Sequence, residues 1–389
     1  MADFGAEVRR LMAEQGLSLR ELARRAHYDV STLSKVLNGR RAATPHIAAA
    51  VGDALGAREL LTEAVAHPLD GSLSPDKRDR LEWTARHPGH VDDVALGALA
   101  SVLAGQRKTE DALGSSAVLR PVLEQLKVVD TFAAEARGPM RPAVIDVAQQ
   151  WAQFAGWLHL NVADLSKSAA RFRQALEHAT EIGDHTMIAT VLSFRGYAAW
   201  RAGQPGPAVG LAQAAGQDPR VALSQRAYAA ALEARGHGLA GDAVAAERRT
   251  GDALELAGQL ADQPEQNRPW SYWYSPGFFQ CQAGVALSQL AHIPRLRDKA
   301  AAALLEGYEA LPSDEKRSDW AGGYLASLAR VYERSGDVGQ ACAVAIDAAA
   351  IARRTGSERL RGMLRRLLGS MAARWPDEPC VGELRDALR

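Results

Sequence analysis

Apolar positions in the first part of the chain recur at helical spacing and stop at turn signals. Val8, Leu11 and Met12 share one helical face, which Gly16 ends. Ser18 stands three residues before Glu21, the spacing at which a hydroxyl and a carboxylate close a helix start, and opens a short helix through Leu22, Ala23 and Ala26. His27 and Tyr28 make a turn. Asp29 is placed to cap a third helix over 30–38, closed by Gly39. Pro45 fits the first turn of a fourth helix carrying Ile47, Val51 and Leu55 and ended by Gly56; a fifth runs through Leu60, Leu61 and Val65. Residues 67–90 then break the rhythm with Pro68, Gly71, Pro75, Pro88 and Gly89, as a linker or an irregular strap would. Helical spacing resumes near Val91 and continues almost to the end. Turn signals at 161–164, 203–206, 238–242, 292–295 and 335–337 recur at uneven intervals of about forty residues, the order expected of stacked helical hairpins. The pattern therefore predicts a domain over 1–66, a linker over 67–90, connecting helices over 91–142 and repeated hairpins over 143–389.

Composition agrees with an all-α fold. At 389 residues the chain has room for two or three domains, and 47% hydrophobic residues suffice for a core. Only 6% of residues are aromatic, and alanine fills much of the apolar share, which with leucine-rich sequence and few β-branched runs favours helix packed on helix. The formal charge is zero, so any affinity for nucleic acid must be local. Such a patch exists: between residues 30 and 46 stand Lys35, Arg40 and Arg41 and no acid. Cys281, Cys342 and Cys380 are far apart and match no metal spacing; an odd, sparse set suits a reducing compartment. The first residues, MADFGAEVRRLMAEQG, carry charges inside their apolar pattern, unlike a signal peptide, and no apolar run approaches the ~20 residues of a membrane span. A cytoplasmic protein without membrane contact is expected. Zinc-protease, phosphate-loop, dinucleotide and serine-elbow motifs are missing, so no catalytic residue, metal or cofactor is implied and no enzyme is expected.

The stretch LSLRELARRAHYDVSTLSKVLNGRR resembles the phage-repressor (Xre-like) helix-turn-helix domains, in its Leu22-Ala23 pair, its Ser-Thr-Leu-Ser run and its Gly-Arg-Arg exit. The resemblance implies that the third helix enters the major groove of a double-stranded DNA operator. Val30, Ser31, Thr32, Ser34 and Lys35 would then face base edges, Arg40 and Arg41 would meet phosphates, and Arg20 is a further phosphate candidate. GWLHLNVADLSKSAARFRQALEHATEIGD resembles a tetratricopeptide-type repeat. Together with the central LAGQRKTEDALGSSAVLRPVLEQL, the chain is similar to a group of actinobacterial transcription regulators, and in architecture to Gram-positive quorum-sensing regulators whose repeat domain receives a signalling peptide. The resemblance implies a five-helix DNA-binding head, a tetratricopeptide-like helical-hairpin solenoid that senses a small molecule or peptide, and a homodimer. Pairing also follows from the head itself, since one such domain covers half a site.

One segment carries separate chemistry. Residues 268–279, RPWSYWYSPGFF, hold Trp270, Tyr272, Trp273, Tyr274, Phe278 and Phe279 in an otherwise aromatic-poor chain. They read either as the wall of a ligand site, with Asn267 beside them, or as rings filling the longer repeat interval. Trp151, Phe154 and Trp157 stand at helical spacing and read as core. Peptide receptors of the quorum-sensing type hold peptide backbone with asparagines on inner helices. This chain has only Asn38, Asn161 and Asn267, which leaves Gln149, Gln150 and Gln153 as the amide candidates. A small molecule or no ligand at all stays open, as does a scaffold tethered to DNA that binds only another protein.

Overall fold

The computed structural model describes residues 4–26, 28–38, 45–57, 75–262 and 270–389. These form nineteen α-helices and short 3-10 turns, with no strand among the described residues. The chain divides into two compact units, Met1–Leu73 and Ser74–Arg389.

In the first unit, α1 (Phe4–Glu14), α2 (Leu19–Arg25), α3 (Val30–Leu37) and α4 (Pro45–Leu55) enclose one core. Val8, Leu11, Leu22, Leu33, Val36, Ile47 and Val51 all lie in it, at the spacing of helical inner faces. Gly16 ends α1 with a left-handed φ of 63°, and the Leu17 amide returns to the Met12 carbonyl at 2.9 Å. Ser18 caps α2 by accepting from the Glu21 amide at 3.2 Å. The reciprocal half of that cap is replaced: the Glu21 carboxylate instead accepts from Arg24 and Arg25. Asp29 occupies the N-cap of α3 without a side-chain cap bond. The expected fifth helix through Leu60, Leu61 and Val65, together with His27, Gly39, Arg40 and Arg41, lies outside the described residues.

The second unit begins with α5 (Pro75–Arg86), inside the stretch expected to be linker or strap. Over 75–90 that expectation is corrected. Pro75 and Pro88 open a helix and a 3-10 turn, positions where a missing N–H breaks no helical bond, so they start structure here. There follow α6 (Asp93–Leu113), α7 (Ser115–Glu135), α8 (Arg141–Asn161), α9 (Leu165–Ile182), α10 (His185–Arg201), α11 (Pro205–Gly216) and α12 (Leu223–Ala240). Then come α13 (Ala243–Gly258), α14 (Pro276–Ser288), α15 (Pro294–Glu309), α16 (Asp319–Ser335), α17 (Val338–Thr355), α18 (Glu358–Arg374) and α19 (Pro379–Ala387).

Asp164, Asp184, Asp242 and Asp337 punctuate this array. Each caps the next helix by accepting from the amide three residues on, at 3.0–3.2 Å. Each such cap contributes about 1 kcal/mol. Neighbouring helices stack as a solenoid of hairpins in two layers. The outer helices bury one stripe: α9 buries Ser168, Phe172, Ala175 and Ala179, at steps of three and four. The inner helices are buried nearly all round, as in α12, where Ala227 through Gly236 are all buried. Small residues permit the close stacking; a Cβ added at Gly307 of α15 would lie 2.7 Å from the Cys281 amide nitrogen of α14. No helix among the described residues is long and apolar enough to cross a membrane.

The array also closes on itself. The tight turn between α6 and α7 packs against the C-terminal end of α17, so the segment expected to hold mere connecting helices is part of the array. Gly114 makes the turn with φ 83°, and a Cβ there would stand 2.1 Å from the Thr355 carbonyl oxygen. Gly114→Ala is expected to destabilise the second unit by about 1–3 kcal/mol, through both the backbone angle and the clash. Denaturant melts of the full chain check this; the transition of the first unit should stay where it is.

Candidate functional site

Two places carry chemistry, one in each unit. On α3, Leu33, Val36 and Leu37 face the core, which turns the rest of the helix outward. Ser31 and Lys35 are exposed one turn apart, Val30 is 40% exposed, and Thr32 and Ser34 are half-buried beside them. Asn38 extends this face, its Nδ2 donating to the Ser34 hydroxyl at 3.4 Å. It was not among the expected readers, although its step of three from Lys35 puts it on the same face. Arg20 is exposed on α2 and pairs with no carboxylate among the described residues. Arg24 and Arg25 are engaged by Glu21, whose carboxyl their hydrogen bonds hold down at about 2.

In the second unit the inner helices surround a cavity of about 540 Å³. Every even-numbered helix from α6 to α18 contributes to its wall. Within a helix the contributors follow its period, as Phe278, Gln282 and Val285 do on α14 and Gln289 at its C-cap. Aromatic rings are prominent in the wall: Trp157, Phe194, Tyr197, Trp200, Tyr228, Trp320 and Tyr324, together with the segment before α14. Polar groups converge on it too. The Gln282 amide donates to the Tyr324 hydroxyl at 2.7 Å, and Arg359 donates to Asp319 at 2.8 Å in a pair that is nearly buried. Asp111 of α6 accepts from the Trp320 indole at 3.0 Å with one oxygen and from the Tyr272 hydroxyl with the other.

A helix-turn-helix domain family matches residues 3–65. The first unit carries a helix-turn-helix domain. By that domain the chain is a DNA-binding regulator. No curated protein matches the chain.

Outside the helix-turn-helix domain, the two readings of the aromatic segment both apply, to different rings. Tyr272, Trp273 and Phe278 stand on the cavity wall. Trp270 and Tyr274 do not, and their assignment to a ligand wall is corrected. Trp270 is 2% exposed among Phe172, Met187 and Phe194, and Tyr274 packs behind Phe278 with its hydroxyl donating to Gln225 at 2.9 Å. Asn267 lies outside the described residues. The cluster on α8 divides the same way: Trp151 is core, whereas Phe154 and Trp157 reach the cavity. The Gln149 Nε2 donates to Asp146 and Asp184, and of the three glutamines Gln153 alone lines the wall. Arg107, Arg201, Arg235 and Arg359, all on the wall, were not anticipated. Their signal was a charged residue within an otherwise apolar inner helix, as in YAAALEARG.

Burial reshapes the acids beside α6. It pushes the Glu110 carboxyl up to about 8, helped by the neighbouring Asp111, while Ser115 and Trp157 donate to the same oxygen at 2.6 and 3.3 Å. Burial likewise raises Asp111, but the Tyr272 and Trp320 hydrogen bonds limit the rise to about 6. Glu110 is therefore protonated and Asp111 ionised near neutrality. Below about 4.5 Glu110 holds its proton folded or unfolded, whereas between about 4.5 and 8 only the folded chain keeps it. Its contribution to stability is thus complete below that window and lost as pH rises through it, at no more than about 1.4 kcal/mol per pH unit for one proton. Glu110→Gln should flatten this decline, as read from unfolding midpoints at several pH values.

Proposed function

We propose that this chain is a sequence-specific transcription regulator of the phage-repressor (Xre-like) type, cytoplasmic and dimeric on its operator. Its tetratricopeptide-like solenoid would supply the dimer contact and receive a small effector. The observation that carries this reading is the joining, in one chain, of a helix-turn-helix domain and a helical array that encloses an aromatic cavity of about 540 Å³. That volume lies within the range of small-molecule sites, and its few convergent polar groups are what fixes a ligand's orientation.

The outward face of α3 supplies the reading chemistry. Hydroxyls of Ser31 and Thr32 donate or accept at a base edge, Lys35 reaches a guanine or a phosphate, and Val30 and Ser34 flank them. Arg40 and Arg41 follow α3 in sequence, and with Arg20 they are the phosphate contacts of this reading. A genome-wide binding map yields the operator; an inverted repeat there fits a dimer, and an unpaired half-site speaks against one. On that operator the combined substitution Ser31→Ala, Thr32→Ala, Lys35→Ala should abolish sequence preference without unfolding the domain, at about 1–3 kcal/mol per good base contact. Arg40→Ala with Arg41→Ala should instead weaken binding to all sequences alike and reduce the salt slope by about two. Mobility shifts at several salt concentrations measure both, and a triple variant with intact operator preference would remove α3 as the reader.

A further inference from the structure

Arginine is the least expected residue on the buried face of an alanine-rich helix. On α12, Arg235 is 4% exposed and lines the cavity. Its Nε has no acceptor, and no carboxylate pairs with its guanidinium among the described residues. It lies instead over ring faces, 5.0 Å from the centre of Trp200 and 5.9 Å from that of Tyr197. The acid nearest in sequence, Glu233, is engaged elsewhere, accepting from Arg249 at 2.9 Å and Gln213 at 3.0 Å.

Arg107 on α6 repeats the arrangement. It is 3% exposed, lies 5.6 Å from the Phe154 ring and 6.0 Å from Trp270, and has one long contact, 3.5 Å, to the Gln150 carbonyl. A guanidinium out of water with no anion beside it is strongly disfavoured, and removing its charge is normally neutral or stabilising. Two such groups border the same cavity.

Of the other charges there, Arg201 and Arg366 pair with no carboxylate among the described residues, Arg201 meeting only the Leu160 carbonyl and the Asn161 amide oxygen, and the rest are engaged. Arg359 has Asp319, Glu358 has Arg361, and Asp111 holds Tyr272 and Trp320. What the cavity lacks is negative charge, and what its walls offer otherwise is flat π surface.

We propose that the cavity binds a small organic oxyanion, a carboxylate or phosphate carried on a flat ring, with Arg235 and Arg107 as the charge partners and the wall aromatics stacking on the ring. Guanidinium forks match both oxyanions in geometry, and buried charge-assisted pairs are the strong ones. The proposal rests on the reading of the cavity as an effector site and gives that effector its chemistry.

The test uses the full chain with three probes on one ring: 2-naphthoate, 2-naphthyl phosphate and uncharged 2-naphthamide. Calorimetric titration and the thermal midpoint report binding. At least one anion should bind saturably and raise the midpoint, with the amide weaker by on the order of tenfold or more. Arg235→Met and Arg107→Met, which keep the side-chain volume, should each weaken the anion by a similar factor and leave the amide unchanged. Without ligand both variants should melt at or above the wild-type temperature, since each loses an unmatched buried charge. Amide binding equal to the anions, no binding by any probe, or variants that melt well below wild type would overturn the proposal; the last would make these arginines structural. The preferred anion tells carboxylate from phosphate. Operator binding with and without that anion separates the two readings. An anion that binds yet leaves DNA affinity unchanged keeps the site and removes the effector role, whereas an amide that alters DNA affinity does the reverse.

Discussion

Asp111 sits near the end of α6, and its carboxylate accepts from two residues more than a hundred and sixty positions downstream: the Tyr272 hydroxyl from the segment before α14 and the Trp320 indole at the start of α16. Hairpins stacked one on another need no such contact, because each buries its stripe against its neighbours. What the carboxylate adds is closure. It joins the first helices of the array to helices near its end, and only a closed array has an inside. Alanine would remove the acceptor of both donors, the partly buried Trp320 indole among them, and with it the link between the two ends of the array.

Closure explains why the inner helices are buried on both sides and the outer ones on one. An outer helix satisfies its single stripe against the layer beneath, so α9 buries Ser168, Phe172, Ala175 and Ala179 and α11 buries Ala208, Ala212 and Ala215, at steps of three and four. An inner helix packs outward against that layer and inward against the facing wall. Alanine suffices where two helices touch, but it cannot reach across the ring. Long side chains must, and the aromatic residues and arginines of α6, α10, α12, α14 and α16 stand there. The cavity is the remainder of that geometry: rings span most of the gap, and about 540 Å³ is left. Stability alone would fill it with apolar side chains. Arg107 and Arg235 oppose stability at these positions, and functional sites are where such opposition is retained.

The sequence disclosed what depends on neighbours in the chain. The helix-turn-helix core was legible because Val8, Leu22, Leu33 and Val51 fall on a helical period between recognisable stops, and the aspartate caps of the array were legible as turn signals. Less legible was anything decided across the ring. Prolines 75 and 88 read as breakers because proline at the first turn of a helix and proline in a strap look alike without the helix that follows. Trp270 and Tyr274 could not be separated from Tyr272, Trp273 and Phe278, for a segment that is not plain helix has no period from which to assign faces. Trp157 was read as core because a wall residue and a core residue share the same spacing on an inner helix. The arginines were visible as letters, but nothing local says that α6 and α12 face one cavity.

The seam where the array closes differs in kind from the interfaces between its hairpins. Hairpins meet through alanine, leucine and close glycine contacts, whose attraction grows with area and is indifferent to small shifts. The closing contacts are few and directional: hydrogen bonds to one carboxylate, and the approach of Gly114 to the Thr355 carbonyl. Directional contacts form or fail together, so opening at the seam gives up several at once while the hairpin interfaces stay intact. Tyr272, Trp320 and Asp111 belong both to this seam and to the cavity wall. A molecule in the cavity therefore touches the groups that close it, and its binding energy adds to closure only as far as it contacts both sides. Arg107 lies on α6 at the seam, whereas Arg235 lies on α12, away from it. An anion held by Arg107 touches the seam side, which is the differential contact a population shift requires.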